Sequence, residues 1–170
     1  ALGLATPMSI MVATGRAATR GILFRDAAAI EHFRRVDTLV VDKTGTLTEG
    51  RPKVVAVEAT GPGGKNDLLR FAAALERSSE HPLAAAIVRA AQESGLQIPS
   101  VDAFEAVTGK GVTGTVEGRK LALGNAKLLN DLKLDTSALD GIADRLRREG
   151  ATAIYVAIDG APAGVVAVAD

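Results

Sequence analysis

The stretch "VVDKTGTLTEG", residues 40–50, joins the end of an apolar run to a loop that is rich in threonine and glycine. The run at residues 38–41 is typical of a strand that is buried on both faces of a parallel sheet. Ligands of open α/β sheets bind beyond the carboxyl ends of their strands, and here Asp42 stands at that end. The stretch therefore predicts a functional site around Asp42.

The residue types of this loop suit phosphoryl chemistry. A carboxylate at Asp42 can attack phosphorus and form an aspartyl phosphate. Lys43 would neutralise phosphate charge, Gly45 would let the backbone approach the ligand closely, and Thr44 and Thr46 offer hydroxyl groups. Phosphatases that hydrolyse such an intermediate usually carry a second aspartate two residues after the nucleophile, where this chain has Thr44. Without that proton-transfer group, we expect the phosphoenzyme to hydrolyse slowly.

The composition excludes some classes of partner and site. The 170 residues include 20 basic and 20 acidic side chains, and only 3% are aromatic. Such a balance, with few rings available for base stacking, argues against nucleic-acid binding. The chain contains no cysteine, so a disulfide framework and a thiolate metal site are excluded.

The N-terminal residues are apolar and are followed by arginines. The apolar run extends for about fourteen residues before Arg16, which is short of the roughly twenty that a membrane-spanning helix needs. Because the basic residues follow the apolar run, a signal peptide is not indicated. A truncated membrane helix with an amphipathic connector on the cytoplasmic side fits the positive-inside rule, and an ordinary core helix fits the same residues equally well.

Beyond Gly50 the sequence predicts an α+β unit built on an antiparallel sheet that is flanked by two helical hairpins. Strands are predicted at residues 54–59, 101–108, 111–118 and 119–125, and a final hairpin at residues 152–170. Helices are predicted at residues 66–78, 82–94, 126–134 and 137–150, with caps at Asn66 or Asp67 and at Thr136 or Ser137, a start at Pro82 and a stop at Gly95.

Two polar residues near the first helical hairpin are candidates for ligand binding. Pro82 favours an extended conformation at His81 and the start of a helix, so the imidazole is expected in a loop where it can stack or hydrogen-bond. Glu76, near the end of the preceding helix, offers a carboxylate that accepts hydrogen bonds. A solvent-exposed loop histidine and a solvated carboxylate remain the alternatives.

The sequence "GKGVTG", residues 109–114, matches the spacing G-x-G-x-x-G. A dinucleotide-binding fingerprint opens a helix, whereas strands are predicted to follow here, so we exclude a Rossmann fold. Gly109 and Gly111 would let the backbone approach a ligand closely, or would form a bulge in the sheet. Asn125 would form a polar turn and cap the next helix. The sequence contains no P-loop motif.

Five stretches together resemble the P-type ATPases. "DKTGTLT", residues 42–48, is similar to the phosphorylation motif of these ion pumps. "SEHPLAAAI" at 79–87, "GKGV" at 109–112 and "LGN" at 123–125 resemble the heavy-metal branch of the family. The apolar residues 1–12 resemble the segment that follows the Cys-Pro-Cys metal-site motif in copper-transporting members.

This resemblance implies the ATP-driven export of a heavy metal, copper(I) from the similarity of residues 1–12, through a membrane protein with this segment on the cytoplasmic side. The membrane would be contacted by helices outside this chain. Residues 1–35 would be the end of a membrane helix and its connector. Residues 36–52 would contribute the first strand of an α/β haloacid-dehalogenase-like phosphorylation domain, and residues 53–169 would form the nucleotide-binding domain.

The resemblance also implies roles for individual residues. Asp42 would be the phosphorylated nucleophile, and Lys43 and Thr44 would serve the phosphate. Mg²⁺ would be held by Asp42 and Thr44, with its remaining ligand outside the chain. The residues expected to hold ATP are Glu76, His81, Gly109, Gly111 and Asn125.

Two other classes of function remain as alternatives. A soluble haloacid-dehalogenase-like phosphatase would need a second catalytic aspartate near Thr44. A non-catalytic nucleotide-binding module would have no use for an intact "DKTGTLT" motif. For the pump, we expect the isolated chain to bind ATP without turnover, and residues 1–50 to be poorly ordered, mispaired or associated with another copy.

Overall fold

A computed structural model describes residues 2–33 and 35–170, apart from the side chains of Leu2 and Thr44. The chain forms two compact units. Residues 1–42 are called the N-terminal unit, and residues 43–170 are called the C-terminal unit. The predicted division at residues 35 and 52 stays a prediction.

The N-terminal unit contains two helices, α1 (Leu2–Ala18) and α2 (Ala27–Phe33). The side chain of Asp26 accepts a hydrogen bond from the backbone N–H of Ala29 at 2.7 Å, which caps α2. The 17 residues of α1 include Pro7. Across the described residues, none of the helices has the length and apolar character needed to cross a membrane.

The strand predicted at residues 38–41 is not formed. Residues 36–42 have no regular secondary structure, and the side chains of Leu39 and Val40 are 73% and 92% exposed. A strand needs at least one neighbouring strand with which its backbone can pair, and the described residues of the N-terminal unit contain no strand. The apolar run therefore has no sheet to join in this unit.

The C-terminal unit begins with a single π-helical turn, Lys43–Leu47, and continues as a six-stranded antiparallel sheet. The strands are β1 (Lys53–Ala59), β2 (Asp102–Val107), β3 (Gly111–Val116), β4 (Arg119–Gly124), β5 (Thr152–Ile158) and β6 (Ala161–Ala169). Their spatial order is β1-β6-β5-β4-β3-β2. The helices are α3 (Gly64–Glu76), α4 (Ala84–Glu93), α5 (Ala126–Asp131) and α6 (Ser137–Arg148).

One helical hairpin covers each face of this sheet. Leu75 of α3 and Ile87 of α4 belong to the core on one face, together with Val156 of β5. Leu129 of α5 belongs to the core on the other face, together with Tyr155, whose hydroxyl donates to Asp140 at 2.8 Å. Strands β5 and β6 contribute side chains to both cores, so their sequences are nearly continuous runs of apolar residues. The predicted antiparallel sheet with two flanking helical hairpins is confirmed.

Tight turns join β3 to β4 and β5 to β6, the two β-hairpins of the sheet. Glu117 and Gly118 both have positive φ, as do Asp159 and Gly160, which is the backbone of a type I′ turn. These turns lie where the sequence predicts them.

The helix starts differ from the predictions by a few residues. Helix α3 begins at Gly64 after an N-cap at Gly63, because the left-handed backbone of Gly63 turns the chain before Asn66 and Asp67 are reached. Helix α4 begins at Ala84 instead of Pro82. Helix α6 has Thr136 as its N-cap, but the Thr136 hydroxyl bonds to Asp140 instead of to the backbone.

Candidate functional site

The predicted phosphorylation motif lies where the two units meet in sequence. Asp42 is the last residue of the N-terminal unit and is exposed, and Lys43 opens the π-helical turn of the C-terminal unit with an exposed side chain. The side chain of Thr44 lies outside the described part of the chain. Gly45 has φ +78° within this turn, a conformation that favours glycine.

The last residue of the motif is bound to the far end of the chain. The hydroxyl of Thr48 donates to one carboxylate oxygen of Asp170 at 2.6 Å, and the backbone N–H of Arg51 donates to the other at 2.7 Å. The Thr48 hydroxyl also accepts from the N–H of Gly45 at 3.3 Å. Asp170 therefore fixes the exit of the motif loop beside the end of β6.

Glu76 is the last residue of α3, and its side chain is buried, with 4% exposure. Its Oε2 has no hydrogen-bond partner among the described residues. Burial raises the pKa of the Glu76 carboxyl, and a hydrogen bond from Ser79 acts in the opposite direction. A buried carboxylate oxygen without a partner is costly, so Glu76 is a strong candidate for a ligand contact.

His81 lies in the exposed loop between α3 and α4. Its backbone N–H donates to Oγ of Ser79 at 3.2 Å, and its Nδ1 accepts from the N–H of Leu83 at 3.2 Å. A ring nitrogen that accepts a hydrogen bond is unprotonated, which assigns the proton to Nε2. The ring is thus oriented by its own loop, with Nε2 available as a donor.

Asn125 joins the glycine loop to α5. Its backbone N–H donates to the carbonyl of Lys110 at 2.8 Å, and its side-chain amide donates to the carbonyl of Gly109 at 2.9 Å. Its Oδ1 accepts from the N–H of Leu128 at 3.2 Å and so caps α5. Asn125 is therefore a helix cap, and it also fixes the loop at residues 109–111.

Gly111 allows the backbones of β3 and β4 to approach closely. It pairs with Gly124, and a Cβ atom placed on Gly111 would lie 2.2 Å from the carbonyl oxygen of Leu123. Gly109, with φ +71°, has open space around it. The conformation at Gly111 serves the sheet, while the free space at Gly109 leaves room for a ligand.

The predicted nucleotide residues form two clusters. Asn125 donates to the carbonyl of Gly109, and Gly111 pairs with the neighbouring Gly124. Glu76 and His81 lie five residues apart, at the end of α3 and in the loop that follows it. Leu75, the neighbour of Glu76, packs against β3, because a Cβ atom placed on Gly114 of that strand would lie 2.9 Å from the Leu75 side chain. Asp42 and Lys43 belong to neither cluster.

Two cavities of the C-terminal unit lie at other positions. One of about 340 Å³ is lined by Thr113, Thr115 and Lys120 among others, and one of about 400 Å³ is lined by Arg51, Pro82 and Arg89 among others. Neither is lined by the five predicted nucleotide residues. The described residues also contain no group of three or more His, Asp or Glu side chains that could hold a metal ion.

Three residues of this region were not identified from the sequence. Ser79 supports both Glu76 and His81, and its position two residues before a histidine in a loop could have indicated the turn. Lys110 stands between two candidate glycines, which could have drawn attention to its charge. Nothing in the sequence connects Asp170 to Thr48.

Comparisons with known proteins give a consistent result. The profile of haloacid dehalogenase-like hydrolases matches residues 36–170. All 170 residues align at 56% identity with a copper-transporting P-type ATPase of Rhizobium leguminosarum bv. viciae, of which they cover 20%. They align at 51% identity with a silver-exporting P-type ATPase of Salmonella typhimurium, of which they cover 21%.

A solved structure has a similar fold. The crystal structure of a zinc-transporting PIB-type ATPase in the E2.Pi state superposes with a TM-score of 0.78 at 35% identity, over 97% of this chain and 26% of that one. The chain thus spans about a fifth of the length of its curated relatives.

Proposed function

The chain belongs to the haloacid dehalogenase-like hydrolase family, and from its full-length match to P-type ATPases we propose that it is the ATP-binding and phosphorylated part of a heavy-metal exporter. The proposed cargo is copper(I), because the relative with the highest identity quoted above is a copper transporter and residues 1–12 resemble the copper-transporting members. The proposed location is a membrane, with this segment on the cytoplasmic side.

The nucleotide site of this proposal is carried by one observation, the buried and unpartnered Oε2 of Glu76. The exocyclic amine of adenine is a donor that would satisfy this oxygen. His81, whose ring Nδ1 accepts from the N–H of Leu83, would stack on the base or donate from Nε2. Gly109 and Gly111 would let the backbone approach the nucleotide, and Asn125 would hold that loop in place.

The phosphoryl step is proposed for Asp42. One carboxylate oxygen attacks the γ-phosphorus of ATP, the bond from that phosphorus to the bridging oxygen breaks, and ADP leaves with the electron pair. Lys43 would balance the charge of the phosphate. Because Thr44 stands where phosphatases carry their second aspartate, the aspartyl phosphate would persist long enough to drive a conformational change.

Magnesium would assist this step by neutralising phosphate charge. Asp42 supplies one carboxylate and Thr44 one hydroxyl, and hard oxygen ligands of this kind suit Mg²⁺. The described residues contain no group of three or more His, Asp or Glu side chains that could hold a metal ion. In line with the family resemblance, we propose that Asp42 and Thr44 hold the ion together with phosphate oxygens and a ligand outside this chain.

Titration calorimetry of the chain with ATP tests the nucleotide site. We expect Glu76→Ala and His81→Ala each to weaken binding by about 1–3 kcal/mol, the scale of one good polar or stacked contact. Glu93→Ala is the matched control, because Glu93 is also the last residue of its helix but is exposed. Wild-type affinity in both test variants would rule out this site.

Labelling tests the phosphoryl step. Asp42 lies in an exposed segment without regular structure, so we expect the isolated chain to bind ATP without becoming labelled by γ-³²P-ATP and Mg²⁺. Acid-stable, hydroxylamine-sensitive label that disappears in Asp42→Asn would show that the chain phosphorylates by itself. Rapid release of inorganic phosphate without label would favour a soluble phosphatase.

A further inference from the structure

The side chain of Lys110 starts from a fixed stretch of backbone. The N–H of Lys110 donates to the carbonyl of Val107 at 2.9 Å, and its carbonyl accepts from the N–H of Asn125 at 2.8 Å. The carbonyl of the preceding Gly109 accepts from the Asn125 side chain. None of these bonds involves the Lys110 side chain, so replacing that side chain leaves the loop geometry in place.

The ammonium group of Lys110 forms an ion pair with Asp131 at the end of α5. Both side chains are partly exposed, 37% for Lys110 and 54% for Asp131. An exposed ion pair contributes little to stability, because water screens it and both side chains lose freedom. The ammonium can therefore leave Asp131 for a more highly charged anion at small cost.

The five predicted nucleotide residues lack a permanent positive charge. Two of them are glycines, Asn125 is neutral, Glu76 is an acid, and the Nδ1 of His81 accepts a hydrogen bond. A triphosphate carries several negative charges, and protein sites for such groups supply cations or charge-assisted hydrogen bonds. Lys110 brings a cation to the same loop, directly between Gly109 and Gly111.

We propose that Lys110 binds the phosphate groups of the nucleotide and makes the site selective for nucleoside polyphosphates over nucleosides. Asp131 holds the ammonium when no nucleotide is bound and releases it when phosphate arrives. This inference rests on the proposed nucleotide site at Glu76 and His81, and it adds a specificity-determining residue to it.

Calorimetric titration of the chain with adenosine, AMP, ADP and ATP, the last two with Mg²⁺, tests the proposal. Lys110→Met keeps the length of the side chain and removes its charge. We expect it to weaken ATP and ADP binding by about 5- to 20-fold, as for one exposed charge-assisted hydrogen bond. Adenosine binding should stay within about twofold, and Lys110→Arg should retain most of the ATP affinity.

Two further variants separate charge from structure. Asp131→Asn breaks the same ion pair but leaves the ammonium free, so we expect ATP binding that equals or exceeds that of the wild type. Lys65→Met is the control, because it removes another ion pair at the surface, the one between Lys65 and Glu58. Lys65 lies about 16 Å from Glu76 along α3, so this variant should leave all affinities unchanged. Thermal unfolding of each variant confirms that it is folded.

The remaining outcomes contradict the proposal. Wild-type ATP affinity in Lys110→Met would remove Lys110 from the site. Equal losses for adenosine and ATP, or a loss of ATP binding in Asp131→Asn as large as in Lys110→Met, would show that the ion pair only supports the loop. A wild-type chain that binds none of the four ligands would overturn the proposed nucleotide site itself, and this inference with it.

Discussion

The two units of the chain are both rich in apolar side chains, but only one of them buries these side chains extensively. In the C-terminal unit, Leu75 and Leu129 are fully buried in two cores on opposite faces of one sheet. In the N-terminal unit, Leu4, Met11 and Val40 are mostly exposed. Apolar sequence is therefore not sufficient for a core. A core also needs neighbouring elements that the same unit supplies, and six paired strands supply them only in the C-terminal unit.

The largest test of this contrast uses the same substitution in both units. Leu129→Ala removes a fully buried side chain, and we expect it to lower the free energy of unfolding by about 2–5 kcal/mol. Leu39→Ala alters a side chain that is 73% exposed, and it should change the free energy of unfolding by less than about 0.5 kcal/mol. Urea unfolding followed by circular dichroism measures both. Similar losses in the two variants would mean that Leu39 is buried in solution.

Glycine substitutions should have opposite signs in the two units. Gly111→Ala forces a Cβ atom against the backbone of Leu123, at φ +149°, and should cost about 1–3 kcal/mol in urea unfolding. Gly15→Ala lies within α1 with nothing near the added atom, so helix propensity alone should act. It should favour α1 by about 0.5–1 kcal/mol, visible as increased helical signal. Destabilisation by Gly15→Ala would indicate that α1 is closely packed.

The carboxylate of Asp170 offers a smaller comparison. Asp170→Asn replaces one of the two oxygens that accept from Thr48 and Arg51, so one hydrogen bond is lost. We expect a loss of about 1 kcal/mol in the unfolding of the C-terminal unit. Asp37→Asn, at an exposed position of the N-terminal unit, is the control. An unchanged unfolding midpoint in Asp170→Asn would show that this contact contributes nothing in solution.

The smallest effect concerns pH and contrasts two carboxylates of the C-terminal unit. Burial raises the pKa of Glu76, so the unfolded chain ionises first as the pH rises above about 4.5, and stability falls until the pH passes the raised pKa. Glu76→Gln should remove this fall. The hydrogen bond from Arg70 lowers the pKa of Glu117, so the ionised Glu117 stabilises the fold above about pH 4.5. This stabilisation is lost as the pH falls through the lowered pKa, and Glu117→Gln should remove that loss.

Unfolding midpoints of the wild type and of both variants, from about pH 2 to pH 8, give the measurement. A wild-type stability that stays flat above pH 4.5, with no difference from Glu76→Gln, would place the Glu76 side chain in water. This result would also remove the main structural support for the adenine contact.

The fold of the C-terminal unit could be predicted because its signals are local. Val112, Gly114 and Val116 alternate with partly exposed residues along β3, and Glu117 and Gly118 are the residue types that a tight hairpin requires. Asn125 is a strong helix cap in sequence and in structure. The start of α3 was wrong by two residues, because a left-handed glycine at position 63 competes with the side-chain caps that follow it.

The remaining features depend on distant parts of the chain. Glu76 is buried only in the folded unit, and the residues around it in the sequence do not indicate this burial. The contact between Thr48 and Asp170 joins positions 122 residues apart. The run at residues 38–41 has the composition of a buried strand, but strand formation depends on partners, and composition does not supply them.

The pairing of β1 with β6 places Lys53 directly opposite Ala169. Antiparallel partners lie about 5 Å apart, so the chain enters and leaves this sheet at almost the same point. A unit with adjacent ends behaves as an inserted domain, because it can be placed within a host chain without separating the host residues on either side. For a unit of this kind, the entropy of closing a host loop depends on the distance between the two ends of the insert and not on how many residues the insert contains.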